Sequence, residues 1–453
     1  MTIGRDLAVE KMRAANVNPT AIFIFSHYWD QLASGATGMI PEDTILPLTD
    51  PDVLDSLHET DEDRQALAQT VIIKLNGGLG TSMGLSKAKT LLPVADGMTF
   101  LDIIVRQVLW AREKYQVPLP LVFLHSFNTR DDVLEALKEY PDLPIEGLPL
   151  DMMQSEEPKL LQSDLTPVSW PANPHLEWCP PGHGDLYPTM LDSGILDLLI
   201  DKGFRYASVA NSDNLGSAPS ASLAGWFARS GAPFATEITP RTPMDVKGGH
   251  VAVRKSDSRL ILRESAQTPP DEMKYFTDPA IHAYAHCNNL WFDLVALRTR
   301  LNQTSGVLGL PLIRNSKTVD PADPTSPSVY QIESAMGAAI ESFEGATAVV
   351  VPRSRFLPVK TTNELTLLRS DAFEIGEDFV PRAQVSPLPV VTLPKSYSTI
   401  SAYEQRIPSP IKMSSCRSLT IKGDWYFADN VEINGDVTLG EEGGQVAAGT
   451  TLS

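Results

Sequence analysis

The chain has 453 residues, 42% hydrophobic and 21% charged, an ordinary globular composition with room for two or three domains. A formal net charge of −19 speaks against a nucleic-acid partner, which rewards broad basic faces, and means that any anion site must concentrate positive charge locally. There is no apolar run long enough to span a membrane and no apolar signal core beside Asp6, Glu10 and Lys11; with three scattered cysteines (Cys179, Cys287, Cys416) lacking metal-ligand spacing, this points to the cytoplasm.

Residues 1–70 read as a helical lead-in, with one apolar helical stripe through Ile22, Phe25, Tyr28, Trp29 and Leu32. A catalytic domain is expected over 71–380, where strand and helix patterns alternate in the manner of βαβ units and predict an α/β fold. It opens with an apolar strand from Val71 that runs into Leu75-Asn76-Gly77-Gly78-Leu79-Gly80-Thr81-Ser82-Met83-Gly84, followed by Lys87 and Lys89. Such glycines let backbone N–H groups turn inward as an anion-binding nest. Neither a P-loop nor a dinucleotide fingerprint fits the spacing: Leu85 stands where a P-loop needs lysine, and Met83 where the fingerprint needs glycine.

A helix is predicted after Met98-Thr99, a strand over 119–125, and a helix capped by Thr129 with Asp132. Strands follow over 206–210, 234–239 and 346–351, with helices over 221–229 and 330–343. The conspicuous polar motifs fall at strand ends, where open α/β sheets bind ligands. Asn211-Ser212-Asp213-Asn214 directly follows a strand, so Asp213 is a candidate ligand for a hard cation beside phosphates, although such a motif alone is also a common turn. Lys74 and Lys87 read as solvated surface lysines.

A proline-bearing linker is expected near 382–394, and a separate unit over 395–453. There the apolar pairs Leu419/Ile421, Trp425/Phe427, Val431/Ile433 and Val437/Leu439 recur every six residues, with Gly-Asp turns at 423–424 and 435–436. Six-residue periodicity is the mark of a short parallel β-helix, though two hairpins also fit. One coil cannot bury its own face, so it should lean on the main domain or join copies into a homo-oligomer.

Taken together, the loop at 75–84, Pro-Pro-Gly-His-Gly-Asp (180–185), Asn-Ser-Asp-Asn-Leu-Gly (211–216), Asp-Val-Lys-Gly-Gly (245–249), Asn-Asn-Leu-Trp (288–291) and Val-Pro-Arg-Ser-Arg-Phe-Leu-Pro-Val-Lys (351–360) resemble, in order, the eukaryotic-type UTP–glucose-1-phosphate uridylyltransferase family. That resemblance implies a mixed, mostly parallel sheet of the nucleotide-diphospho-sugar transferase (GT-A/Rossmann-like) type, with a left-handed C-terminal β-helix. It implies UTP and glucose 1-phosphate as substrates, UDP-glucose and pyrophosphate as products, and Mg2+ held by Asp213.

The resemblance further implies catalytic lysines at Lys89 and Lys360, and substrate contacts at Leu75, Asn76, Gly77, Gly78, Gln154, Gly182, His183, Asn211 and Asp213. Glu237, Lys247, Asn288 and Asn289 fall in segments that line the hexose side in that family. The chain departs from the family pattern at Leu85-Ser86-Lys87-Ala88-Lys89-Thr90, which lacks the usual Gly-Pro, and at Glu177-Trp178-Cys179. The rival enzyme reading is a pyrophosphorylase for UDP-N-acetylhexosamine or for broad UDP-sugars on the same fold, but those relatives tend to carry Gly-Gly-Gln-Gly-Thr-Arg, unlike Gly77 to Ser82 here. A nucleotide-binding scaffold without catalysis is the remaining alternative, and intact Lys89, Asp213 and Lys360 speak against it.

Overall fold

Strand Thr70–Asn76 is buried along its whole length and sends Val71, Ile73 and Leu75 into one hydrophobic cluster and Ile72 into another. It therefore sits inside a sheet covered on both faces. The computed structural model describes residues 3–54, 59–80, 83–242, 245 and 248–453. Its central sheet contains Asp52–Val53 (β1), Thr70–Asn76 (β2), Leu121–His125 (β3), Asp151–Met153 (β4), Tyr206–Asn211 (β5), Phe234–Pro240 (β6), Tyr284–Asp293 (β7) and Thr347–Val350 (β8). The spatial order is β1-β8-β6-β7-β5-β2-β3-β4.

Strands β5, β2, β3 and β4 run parallel, as do β1, β8 and β6, but β7 lies antiparallel to both of its neighbours. The expected mostly parallel sheet gives way to a mixed one. The reason lies between β6 and β7, where the chain returns at the same end of the sheet instead of crossing it through a helix.

Helices Ile3–Ala14 (α1) and Pro19–Ala33 (α2) form the lead-in, and α2 buries the stripe the sequence predicts. Residues 1–70 are more than helical, however: Ile45–Pro47 pairs with the strand His250–Arg254, and β1 extends the central sheet. Helix Phe100–Tyr115 (α3) is capped by Thr99 with Asp102.

Two local expectations fail. Thr129 precedes helix Arg130–Leu137 (α4) without capping it, because its hydroxyl accepts from the Ser126 N–H at 3.1 Å and donates to the Asn76 carbonyl at 2.7 Å. The helix expected over 330–343 is a strand, Ser328–Glu333, followed by a 3₁₀ segment, Met336–Ser342. Pairing with Ile313–Thr318 and Leu160–Leu161 overrides its helix-like spacing.

The C-terminal strands are Val390–Thr392 (β9), Lys412–Ile421 (β10), Trp425–Phe427 (β11), Glu432–Leu439 (β12), Gly444–Val446 (β13) and Thr451–Leu452 (β14). Every pairing among them is parallel, in the sheets β9-β10-β12-β14 and β11-β13, which excludes hairpins. Leu419, Ile433, Tyr397 and Tyr403 share one hydrophobic cluster with Leu365 and Leu368, so this unit is bonded to the main core. The expected linker is itself partly strand, at Pro381–Ala383 and β9.

His250 and His282 stack with ring centroids 3.7 Å apart, facing Arg241 and Arg263, while the His282 Nε2–H donates to Glu42 Oε1 at 3.0 Å. Burial pushes both imidazole pKa values down, most strongly for His250, where His282 and the two arginines add to it. The unfolded chain takes up protons near the ordinary value of about 6.5, whereas folded His250 does not. Its contribution to stability is therefore complete above that pH and falls as the solution is acidified. His250→Phe should remove about 1.4 kcal/mol of the stability lost between about pH 7.5 and 5.5, measured by urea unfolding at both values. An unchanged pH dependence would mean that His250 ionises normally.

Candidate active site

The carboxyl ends of β2 and β5 lie side by side, with Leu75 opposite Asn211. The chain leaves β2 into the glycine loop, held at its root by Thr129 on the Asn76 carbonyl and by the Ser126 hydroxyl on the Gly77 carbonyl at 2.8 Å. The Asn76 side chain accepts from Thr90 at 3.0 Å and Ser212 at 3.3 Å, tying the loop's two ends to the end of β5. Leu75 and Asn76 are almost wholly buried, whereas the space above Gly78 is open. Thr81 and Ser82 lie outside the described residues.

Lys89 and Lys360 arrive from opposite sides, and each donates to Asp213 Oδ2 at 2.8 Å. Lys89 also donates to the Val359 carbonyl, and its side chain is 13% exposed against 56% for Lys360. Burial alone would raise the Asp213 pKa, but Lys360 and Lys89 more than reverse it, holding the carboxyl below its usual range. Asp213 Oδ1 is buried and has no partner among the described residues. One free carboxylate oxygen beside two lysines and the glycine loop fits a magnesium ion, which takes one or two carboxylates and completes its shell with substrate phosphates. Among the described residues no cluster of three or more His, Cys, Asp or Glu could hold a metal without such help.

Behind Asp213 runs a network that sequence reasoning missed. Lys74 is 1% exposed, not solvated as expected, and donates to Ser217 Oγ at 2.7 Å and the Ser217 carbonyl at 2.8 Å. Burial, with Arg355 adding and Glu237 opposing, pulls its pKa down to about 7. Ser217 donates to the Asn214 carbonyl, and the Asn214 amide spans Asn289 Oδ1, the Arg355 carbonyl and the Leu357 N–H. The segment carrying Lys360 is thus pinned to the turn carrying Asp213. Arg355 lies within the segment 351–360 singled out from sequence, but arginine there gave no sign of pointing inward.

Glu237 has no exposed surface. Arg355 grips both its oxygens at 2.7 and 2.9 Å, Trp291 donates to one and Asn289 to the other. In this arrangement Glu237 and Asn289 serve the buried network and are not free to meet a sugar hydroxyl. Asn288, with φ +54°, instead donates to Asn211 Oδ1 at 3.2 Å and leaves its own Oδ1 without a partner. Lys247 lies outside the described residues, and Lys87 is exposed as expected.

Gln154 follows β4 and lays its amide against Gly77, where a Cβ would stand 3.0 Å from Oε1. Gly182 has φ +79°, and a Cβ there would sit 2.6 Å from the Ser334 carbonyl oxygen, so only glycine fits. His183 Nδ1 accepts from the Met336 N–H at 2.8 Å. Burial, with the Lys360 charge adding, holds its pKa down at about 4, so the ring is neutral with its proton on Nε2. The cleft thus joins a glycine-rich loop, two ammonium groups from distant segments and a half-engaged carboxylate. Those are the features of an α/β protein that binds a polyphosphate.

Comparison with known proteins defines the family. The model of the UTP–glucose-1-phosphate uridylyltransferase family matches residues 23–434, and the chain belongs to that family. The enzyme of that name from Hordeum vulgare is 35% identical over 410 residues, covering 90% of this chain and 83% of the relative. That from Saccharomyces cerevisiae is 37% identical over 376 residues, covering 82% and 74%. A crystal structure of a UDP-glucose pyrophosphorylase variant from Leishmania major in complex with UDP-glucose superposes with a TM-score of 0.93 at 39% identity, covering 100% of this chain and 98% of that one.

Glu237→Ala should destabilise the protein by roughly 3–5 kcal/mol, because it strands the Arg355 guanidinium in a buried site. Glu237→Gln, which keeps the shape, should cost less. Thermal or urea unfolding measures both, and a near-neutral Glu237→Ala would show that Arg355 escapes to water.

Proposed function

We propose that this chain joins UTP and glucose 1-phosphate into UDP-glucose with release of pyrophosphate, and runs the reverse reaction. The observation that carries this is the convergence of Lys89 and Lys360 on Asp213 beside the glycine loop, in a chain of this family. A phosphate oxygen of glucose 1-phosphate attacks the α-phosphorus in line and pyrophosphate leaves. That oxygen is already ionised at neutral pH, so no general base is required. The protein's task is alignment and the screening of two mutually repelling anions.

In this reading Lys89, largely buried and beside Gly80, holds the triphosphate in the ground state. Lys360, more exposed and mobile on its long stem, follows charge as it moves onto the pyrophosphate. Both ammonium groups leave Asp213 for phosphate oxygens when substrate enters. Asp213 would then hold magnesium, whose charge offsets that of the phosphates. Gln154, Gly77, Gly78 and the Gly182 backbone form the base subsite, supported by the contact between the Gln154 amide and Gly77. Leu75 and Asn76 shape its floor, and His183 donates through Nε2 toward substrate. Asn211 and Asn288 are the sugar contacts, with the free Asn288 Oδ1 as an acceptor for a hydroxyl.

Lys360→Ala should lower kcat far more than it weakens UTP binding, whereas Lys89→Ala should damage both. Asp213→Ala should cost on the order of a thousandfold in turnover with the fold retained. Single-turnover rates, nucleotide titrations and magnesium dependence test these together. Equal effects at the two lysines would remove the division of labour, and near-normal turnover at Asp213→Ala would refute its role.

We also read the C-terminal parallel sheets as a short β-helix that buttresses the main core and offers β14 as an open edge to a second copy. Support comes from the parallel register of Leu419 with Val437 and Ile421 with Leu439, three hexads apart. Light scattering should return an oligomer that deletion of 416–453 abolishes; a monomer for the intact chain would sink the assembly reading. The three buried free cysteines support a cytoplasmic setting.

A further inference from the structure

Gln154 and Gly182, the two base-reading groups of the proposed function, lie on separate segments joined by a short ribbon. That ribbon pairs Glu157 with Cys179 and Pro158 with Trp178 and then ends, so nothing in its ladder fixes how far apart residues 154 and 182 stand. The distance is set one step nearer the cleft. Asp185 Oδ2 accepts from the Ser155 N–H, the residue after Gln154, at 2.6 Å, and from Thr189 Oγ at 3.0 Å on helix Leu186–Asp192 (α5). The Asp185 N–H in turn donates to the Gly182 carbonyl at 3.3 Å. On its other side, the Gln154 N–H is anchored to the His125 carbonyl at the end of β3.

We propose that Asp185 is a positioning residue for base selection: its carboxylate holds the Gln154 and Gly182 walls of the base subsite at the spacing that uracil requires. The inference rests on the function proposed above. Asp185 is 6% exposed and has no cation partner among the described residues. Glu157 and Asp192 are the charged groups near it, both acidic, so an apolar residue would be cheaper there if packing were the only demand. Burial raises the Asp185 pKa to about 6, against the hydrogen bonds from Ser155 and Thr189, leaving it ionised at neutral pH as a strong acceptor. Its carboxylate touches no substrate in this reading. It acts by keeping one wall from sliding along the other.

The test measures kcat and KM for UTP and for CTP, with glucose 1-phosphate and magnesium, in the full-length protein. Asp185→Ala should raise the UTP KM about tenfold and lower the UTP-over-CTP preference in kcat/KM by about tenfold. The KM for glucose 1-phosphate should stay within about twofold. Asp185→Asn, which can still accept from Ser155, should recover most of the preference. If Asp185→Ala does not fold, Asp185→Ser carries the same expectation, since it keeps a polar group at the head of α5 whose hydroxyl is too short to reach the Ser155 N–H. A folded variant with lowered stability or kcat but an unchanged UTP-over-CTP preference would overturn the proposal. A wild-type protein that forms no UDP-glucose would overturn the underlying function instead, and this inference with it.

Discussion

Two positive side chains drawn onto one carboxylate oxygen set the demands that the rest of the molecule meets. Lys89 and Lys360 repel one another, and Asp213 between them makes their approach favourable in a partly buried site where charges interact more strongly than in water. The three residues belong to distant segments. Their meeting requires β2 and β5 to be parallel neighbours, the glycine loop to fold back far enough for Lys89, and the segment after β8 to cross the end of β5. In the function proposed above, substrate phosphates take over from Asp213 as partners of both cations. One carboxylate offsets half of the charge on the two ammonium groups, so the pair keeps a net positive charge for an anion.

The layer below is charged as well. Lys74 and Glu237 are buried beneath the cleft, with Arg355 only 12% exposed beside them, in the very place where an apolar core would be less costly. Geometry accounts for them better than stability does. Each hydrogen bond in the chain from Lys74 through Ser217 to Asn214 has a direction, and together they fix the turn at 211–214 against residues 355–358. Oily contacts would hold those segments together but would let them slide. The Asp185 carboxylate ties Ser155 to Thr189 by bonds that are directional in the same way.

Much of this was legible in the sequence because strong local signals agreed with the final packing. The Val71 strand, the glycine loop, the α2 stripe and the placement of Lys89, Asp213 and Lys360 all survive contact with the structure. What was not legible depended on partners distant in sequence. Thr129 followed by Asp132 looks like a cap, but the threonine hydroxyl was claimed by Asn76. Tyr330 to Phe343 has helical spacing, yet a strand at 313–318 was waiting to pair with its first half. Lys74 alternates correctly out of one face of β2, and only the fold reveals that this face is also covered. Glu237 read as a ligand for hydroxyls because nothing local announces Arg355.

Gly84 ends the nucleotide loop with φ +67°, and a Cβ added there would stand 2.9 Å from the Thr399 side chain. Thr399 is not free to turn away, since its hydroxyl caps helix Ile400–Arg406 by accepting from the Ala402 N–H. The two positions are therefore bound in a mutational order. A bulkier residue at 399 tightens an already closed gap, and a side chain at 84 can be accommodated only after 399 has shrunk. The history of the loop and the history of the C-terminal unit are not independent. Position 399 can shrink while 84 stays glycine, but a side chain at 84 meets Thr399 unless that change has come first.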